Sequence, residues 1–150
     1  MKLQDKIAVI TGAGKGIGKA TAELFIKEGA KVVLTSRNLA DLEQIVRDNE
    51  SNQDNITIIA GDISKEDTIG KVIDETIGKF GKIDILVNNA GFSVFDNMVD
   101  SKTEDFDAIF NTNIRALYLI TKGLLPHMIK EQSGTIINIA SVAGKQGFAT

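Results

Sequence analysis

Four glycines occur within seven residues near the start of the chain, at Gly12, Gly14, Gly16 and Gly18. A residue without a Cβ lets the backbone turn tightly and approach a ligand closely. If a helix begins directly after such a loop, its first N–H groups have no partner within the helix and can bind an anion. The residue types therefore predict a phosphate-binding site. The alternative is a glycine-rich turn that binds no ligand.

The spacing of these glycines separates two kinds of phosphate loop. The pattern Gly-x-x-x-Gly-x-Gly fits at Gly12, Gly16 and Gly18, with Thr11 before it, whereas Gly-x-Gly-x-x-Gly fits nowhere in the loop. No Gly-Lys-Ser or Gly-Lys-Thr follows, which excludes a Walker loop.

A phosphate loop needs a strand before it and a helix after it, and the sequence predicts both. The apolar run Ile7–Ile10 precedes the loop, and apolar residues recur at helical spacing from Ile17 onward. Similar apolar runs recur along the chain. They predict five strands, at Lys6–Thr11, Lys31–Ser36, Asn55–Ala60, Ile83–Asn88 and Thr135–Ala140.

Four helices are predicted between these strands. The first covers Ile17–Glu28 and ends at Gly29, and the second and third begin at the caps Asn38 and Ser64. The fourth is long, opens with a capping box of Ser101 and Glu104, and is expected to bend near Pro126.

Strands that alternate with helices predict an α/β fold, a doubly wound parallel sheet of the Rossmann type in the order 3-2-1-4-5. We interpret residues 1–150 as a single dinucleotide-binding domain. The fifth strand would then be an edge, yet Thr135–Ile139 is as apolar as an interior strand. Because folded proteins normally cover such an edge, we expect the fold to be truncated after the fifth strand and the fragment to associate through it.

Composition narrows the function further. The 150 residues carry a formal net charge of −3 with acids and bases interspersed, so we predict no nucleic-acid partner and no membrane surface. There is no cysteine, which excludes thiol catalysis and thiolate metal sites, and we predict no metal. We find no signal peptide or membrane span and expect a cytoplasmic protein.

Several short motifs together resemble the short-chain dehydrogenase/reductase family, and in particular its 3-oxoacyl-carrier-protein reductase-like members. The resemblance covers the whole chain and is carried by Thr11–Gly18, Gly61-Asp62-Ile63, Asn88-Asn89-Ala90-Gly91, Thr112-Asn113-Ile114 and Ile139–Gly144. It implies an oxidoreductase that transfers hydride between a nicotinamide dinucleotide and a carbonyl or alcohol substrate of small size.

The resemblance also implies which residues hold the cofactor. Gly12, Gly16, Ile17 and Gly18 would bind the pyrophosphate. Asp62 would accept a hydrogen bond from the adenine amino group, with Ile63 beside the ring, and Asn89, Ala90 and Gly91 would run beside the adenosine ribose. Taken singly, Asp62 and Asn89 could equally be turn residues.

Charge at the end of the second strand favours one form of the cofactor. Dinucleotide folds that prefer NAD place an acid there, on the ribose 2′-hydroxyl. Here Ser36 takes that position and Arg37 follows, while Lys15 adds a cation in the glycine loop. A 2′-phosphate would gain charge-assisted hydrogen bonds from these cations, so we predict NADP(H) over NAD(H). The alternative is that both are ordinary solvated cations.

The family's chemistry uses a serine, a tyrosine, a lysine and an asparagine. Ser141 matches the serine that orients the substrate oxygen, and Asn113 matches the asparagine that holds a water in the proton relay. The Tyr-x-x-x-Lys motif should follow Ser141, and no such motif follows it in these 150 residues. Tyr118 and Lys122 have the required spacing, but they precede Ser141, and we reject them as catalytic.

Two functions therefore stay open at this stage. One is an oxidoreductase of which this chain is the N-terminal portion, and the other is a nucleotide-binding module without turnover, either truncated or engineered. The resemblance also implies a homo-tetramer or dimer that assembles through the long helix and the helix after Ser141. Since only the first of these is present, we expect assembly to be impaired.

Overall fold

The computed structural model of the protein describes residues 1–145. Its sheet has five strands: β1 (Ile7–Thr11), β2 (Lys31–Ser36), β3 (Ile56–Ala60), β4 (Ile85–Asn88) and β5 (Thr135–Asn138). All pairings are parallel, and the strand order is β3-β2-β1-β4-β5. The predicted fold class and strand order are confirmed, although β1, β3, β4 and β5 are each one or two residues shorter than predicted.

The α-helices are α1 (Gly16–Lys27), α2 (Leu39–Asp48), α3 (Glu66–Phe80), α4 (Thr103–Phe110) and α5 (Leu117–Lys130). Short 3₁₀ turns cover Glu50–Asn55 and Val142–Gly144, and a π-helical segment covers Asn111–Ala116. None of these three segments is predicted from the sequence, because they have no apolar periodicity of their own.

The sheet buries both of its faces, which is why its central strands are apolar at successive positions. Successive residues of β1, such as Val9 and Ile10, point to opposite faces and enter separate core clusters. Helices α1 and α2 cover the first face, with Ala22 and Leu42 among the fully buried residues. Helices α3 and α5 cover the second face, where Ile120 is fully buried.

The predicted helix starts are partly wrong. Asn38 caps α2, and its Oδ1 accepts a hydrogen bond from the Ala40 amide at 3.0 Å. Ser64 does not cap α3, because that helix begins after Lys65 without a side-chain cap and the amide of Ser64 instead donates to Asp62. The Ser101 capping box is also wrong, since α4 begins after Lys102 and the Ser101 hydroxyl donates to the Met98 carbonyl.

The long fourth helix is not one regular helix. It runs from α4 through the π-helical turn at Asn111–Ala116 into α5, and it continues through Pro126 to Lys130. A π turn accommodates one extra residue and is frequent at functional sites. The irregularity thus lies well before the position at which the proline was expected to bend the helix.

Strand β5 pairs with β4 alone within the described residues and forms one edge of the sheet. Its apolar side chains are partly exposed, with Ile136 at 37% and Ile137 at 38% of their full accessibility. The edge position is as predicted, and association through this strand stays a prediction. Among the helices of residues 1–145, none combines the length and the apolar character needed to cross a bilayer.

Candidate dinucleotide-binding site

The sheet opens at the carboxyl ends of β1 and β4, where the chain leaves toward different faces. After β1 it enters α1 on the first face, and after β4 it leads to α5 on the second face. Ligands of open α/β sheets bind in the crevice at such a switch point.

A cleft of about 510 Å³ lies at this edge of the sheet. Every predicted cofactor residue except Gly18 lines it. The full lining is Gly12, Lys15, Gly16, Ile17, Thr35, Ser36, Arg37, Asn38, Asp41, Gly61, Asp62, Ile63, Asn89, Ala90, Gly91, Phe92 and Thr112. A dinucleotide has separate phosphate, ribose and base groups, and the cleft has residues from four strand ends to contact them.

The amino end of α1 opens into this cleft. The helix begins at Gly16 after Lys15, no side chain caps it, and its first turn contains no acid. Its first N–H groups are therefore left for an external acceptor, and the helix dipole favours a negative charge there. By contrast, α2, α3 and α4 each carry at least one acid in their first turn.

Close backbone packing explains why two of the glycines are required. Gly12 has φ +65° and lies so near the next strand that an added Cβ would stand 2.8 Å from Ala90 Cα. Gly18 is buried, and a Cβ there would stand 2.3 Å from the Gly12 carbonyl oxygen and 2.5 Å from Asn89 Nδ2. Gly18 therefore shapes the loop by packing beneath it rather than by lining the cleft.

Hydrogen bonds from Asn89 hold the glycine loop against β4. Its Nδ2 donates to the Thr11 carbonyl at 3.0 Å and to the Gly12 carbonyl at 3.1 Å. The Thr11 hydroxyl accepts in return from the amides of Asn89 and Ala90, both at 3.0 Å. The family resemblance predicts that Asn89 lies beside the cofactor, and the structure shows that its side chain ties β1 to β4.

Cations and small polar groups line the end of the cleft formed by β2 and α2. Ser36 ends β2, Arg37 is exposed directly after it, and Asn38 begins the cap of α2. Lys15 Nζ lies 3.4 Å from Asp41 Oδ2, and the two side chains are 78% and 23% exposed. The structure brings the two predicted cations to the same cleft and adds an acid that sequence reasoning missed.

Asp62 follows β3 and is a turn residue that also lines the cleft, while its contact with an adenine stays a prediction. Its Oδ1 accepts a hydrogen bond from the Ser64 amide at 2.9 Å. Burial acts to raise the pKa of Asp62. Hydrogen bonds from the backbone and hydroxyl of Ser64, together with the positive charges of Arg37 and Lys65, outweigh burial and hold that pKa below its ordinary value of 3.8.

Asn113 lies in the π-helical turn, and its carboxamide is bonded to the loop after β4. The Phe92 amide donates to Asn113 Oδ1 at 3.1 Å, and Asn113 Nδ2 donates to the Phe92 carbonyl at 2.8 Å. Each polar atom retains one further hydrogen-bonding position. Asn113 does not line the cleft, but its neighbour Thr112 does.

Ser141 lies three residues beyond the end of β5 and begins the 3₁₀ turn Val142–Gly144. Its Oγ accepts a hydrogen bond from the Ala143 amide at 3.2 Å, so the hydroxyl hydrogen is left to donate elsewhere. The side chain is exposed, and no hydrogen bond joins it to Asn113 within the described residues.

Tyr118 is on α5 and does not line the cleft. It is 58% exposed, and Lys122 Nζ lies 5.9 Å from the centre of its ring, which is an ordinary contact between positions four apart on a helix. The position of Tyr118 thus supports its rejection as a catalytic residue.

Sequence reasoning missed several residues that line the cleft, notably Asp41, Thr112 and Phe92. Asp41 follows the Asn38 cap by three residues, and this spacing alone places it in the first turn of α2. Nothing in the sequence signals that this turn faces Lys15, because the two residues belong to different elements.

The fold and the position of the cleft are those of Rossmann-type folds, which bind dinucleotides at such a switch point. The family model for short chain dehydrogenases matches residues 6–150, and the chain belongs to this family.

Two solved structures and a curated relative are similar over nearly the whole chain. The chain is 37% identical over 147 residues to 3-oxoacyl-[acyl-carrier-protein] reductase FabG of Thermotoga maritima, covering 98% of this chain and 60% of the relative. The structure of ElxO with NADP bound matches with a TM-score of 0.88 and 39% identity, over 97% of this chain and 59% of that one. A metagenomic short-chain oxidoreductase in complex with NADP matches with a TM-score of 0.92 and 36% identity, over 99% and 68%. The chain spans about 60% of the length of the curated relatives it matches.

Proposed function

We propose that this chain binds NADP(H) and belongs to an oxidoreductase that transfers hydride between that cofactor and the carbonyl or alcohol group of a small molecule. The observation that carries the proposal is the uncapped, acid-free amino end of α1 opening into the cleft at the switch point. The two NADP-bound structures that resemble this chain support the choice of ligand.

The proposed contacts follow the layout of the cleft. The loop that begins at Gly12 holds the pyrophosphate, with the N–H groups of Gly16 and Ile17 as donors, while Gly18 packs beneath the loop. The space above Gly16 is open, since an added Cβ there meets nothing within 4 Å. Asp62 and Ile63 contact the adenine, and Asn89, Ala90 and Gly91 pass beside the ribose.

The preference for NADP(H) rests on charge at the β2 end of the cleft. Ser36 offers a hydroxyl where an NAD site would offer a carboxylate. Arg37 lines the cleft and acts on the Asp62 carboxyl, and Lys15 lines it from the glycine loop. A 2′-phosphate entering between these cations gains charge-assisted hydrogen bonds that a 2′-hydroxyl does not.

Bound NADPH supplies the hydride, and the protein supplies the groups that orient the substrate oxygen. Ser141 donates its hydroxyl hydrogen to that oxygen as negative charge develops there. Asn113 uses the remaining hydrogen-bonding positions of its carboxamide to hold a water of the proton relay. A nearby cation lowers the pKa of a tyrosine from its ordinary value of about 10 and so stabilises the phenolate that remains after the proton is donated, which is the role that the family resemblance implies for the lysine of the Tyr-x-x-x-Lys pair.

The 150 residues contain one tyrosine, Tyr118, and it is not in the cleft. This favours binding of the cofactor without turnover by these 150 residues. The second candidate, a nucleotide-binding module that performs no chemistry, rests on the same observation.

Assembly with other copies, as the family resemblance implies, is supported by exposed apolar residues along α4, the π turn and α5, namely Phe106, Phe110, Ile114 and Tyr118.

Isothermal titration with NADPH and NADH tests the binding proposal. We expect NADPH to bind the parent chain at least tenfold more tightly, because hydrogen bonds to charged groups contribute about 1.5–3 kcal/mol. Arg37→Glu should remove this preference. Arg47→Glu is the matched control, since Arg47 is an exposed arginine on α2 that pairs with Glu43 at 3.8 Å and lies outside the cleft.

Equal affinity of the parent chain for the two cofactors would contradict the NADP preference. Oxidation of NADPH by this chain in the presence of a panel of small ketones would contradict our interpretation that these 150 residues lack the catalytic tyrosine and lysine of the family. Tight NADPH binding with no oxidation is the result we expect.

A further inference from the structure

We propose that Asp41 is a specificity-determining residue that limits the preference of this cleft for a 2′-phosphorylated dinucleotide. The inference rests on the proposed function and concerns the same β2 end of the cleft. It predicts that neutralising Asp41 strengthens the binding of NADPH but not that of NADH.

Asp41 is part of the cleft by direct packing. It lines the cleft from the first turn of α2, and its Oδ2 lies 3.4 Å from Lys15 Nζ. A Cβ added at Gly14 would stand 2.7 Å from Ser36 Oγ and 3.1 Å from Asp41 Cβ, so both side chains lie directly against the glycine loop. Asp41 therefore packs against the same part of the glycine loop as Ser36, the position at which an NAD site would carry its acid.

Lys15, one of the two cations on which the NADP preference depends, is paired with Asp41. Lys15 is 78% exposed, and such surface pairs are weak enough to exchange partners. A 2′-phosphate can thus recruit Lys15, but it must do so within range of a fixed negative charge. Asp41 does not need to hold Lys15 in place, because the glycine loop already positions the backbone from which it extends.

The two cofactors respond to this carboxylate in opposite ways. A 2′-phosphate carries a charge of about −2 at neutral pH and is repelled, whereas a 2′-hydroxyl is neutral and can donate a hydrogen bond to an acid. For charges several ångströms apart in a water-like medium, the repulsion corresponds to about a three- to tenfold change in a binding constant. Asp41→Asn should therefore strengthen NADPH binding by about that factor and leave NADH binding unchanged or weaker.

Asp48→Asn provides a matched control. Asp48 is also on α2 and pairs with Lys19 at 3.6 Å, but it lies outside the cleft. The substitution Asp48→Asn changes the net charge by the same amount as Asp41→Asn. Titration of NADPH and NADH into the parent, Asp41→Asn and Asp48→Asn chains measures the effect. Thermal melts of the three chains check that each variant is folded.

A gain for NADPH with Asp41→Asn that is absent with Asp48→Asn supports the proposal, and the gain should shrink when the salt concentration is raised. Equal NADPH affinities of the two variants, or weaker NADPH binding by Asp41→Asn, would overturn it. Failure of the parent chain to bind either cofactor is a different result, which refutes the proposed function and this inference together.

Discussion

Replacing Gly18 with alanine tests the idea that the glycine loop is shaped by contact with helix α1. The new methyl group would stand 2.3 Å from the Gly12 carbonyl oxygen, which is about 1 Å closer than an ordinary contact. The neighbour is backbone and cannot rotate away. Either α1 or the loop must shift, and such overpacking costs about 1–3 kcal/mol.

The same methyl group would stand 2.5 Å from Asn89 Nδ2. Displacing that amide breaks its bonds to the Thr11 and Gly12 carbonyls, at about 1 kcal/mol each. Alanine returns up to about 1 kcal/mol through its higher helix propensity. The expected net loss is about 2–4 kcal/mol, or roughly 6–12 °C in melting temperature at about 3 °C per kcal/mol.

Gly78→Ala is the matched control, because Gly78 is also helical, in α3, and an added Cβ meets nothing within 4 Å. We expect this variant to melt at or slightly above the temperature of the parent chain. Calorimetry gives the melting temperatures, and titration with NADPH reports whether the loop has moved. If Gly18→Ala matched Gly78→Ala in both measurements, the packing argument would be refuted.

Two further substitutions test the bonds that join the strands. Thr11→Val leaves the amides of Asn89 and Ala90 without their acceptor and should lower the free energy of unfolding in urea by about 2–4 kcal/mol, whereas Thr11→Ser, which keeps the hydroxyl, should lose far less. Asp84→Ala removes the carboxylate that accepts from the Ile7 amide at 2.9 Å and should cost about 1–3 kcal/mol at neutral pH. Burial acts to raise the pKa of Asp84, but that hydrogen bond and two neighbouring lysines outweigh burial and hold the pKa below 3.8 in the folded chain. The carboxylate therefore contributes its full stabilisation of the fold above pH 3.8, and this contribution is lost as the pH falls through the lower pKa of the folded state. The free energies of unfolding in urea of the parent and Asp84→Ala chains should therefore converge as the pH falls below 3.8, and a difference independent of pH would contradict the ionic contribution.

The strand order and most of the cleft are predictable from the sequence because each depends on local patterns. Apolar runs such as Ile7–Ile10 identify a buried strand, and the order 3-2-1-4-5 is the usual one for a doubly wound sheet of this type. Since loops at the carboxyl ends of the strands must meet, Asp62 and Asn89 could be assigned to one cleft before their distances were known.

Features that depend on the packing of distant elements could not be predicted. The Ser101 capping box has the correct residue types, yet the helix begins later because no local signal specifies how the preceding loop packs. Asp41 meets Lys15 only because α2 packs next to the glycine loop. The π turn around Asn113 likewise has no period of its own that would separate it from an α-helix.

The pair of hydrogen bonds between Asn113 and Phe92 has a further consequence. A carboxamide that both accepts from an N–H and donates to the C=O of one residue presents the same groups as a peptide unit in a neighbouring strand. Through this side chain the helix extends sheet-like pairing to a stretch of backbone beyond the end of β4, where no strand is present. Aspartate has no donor for the second bond and glutamine is one methylene longer, so neither can reproduce the pairing without a shift of the turn.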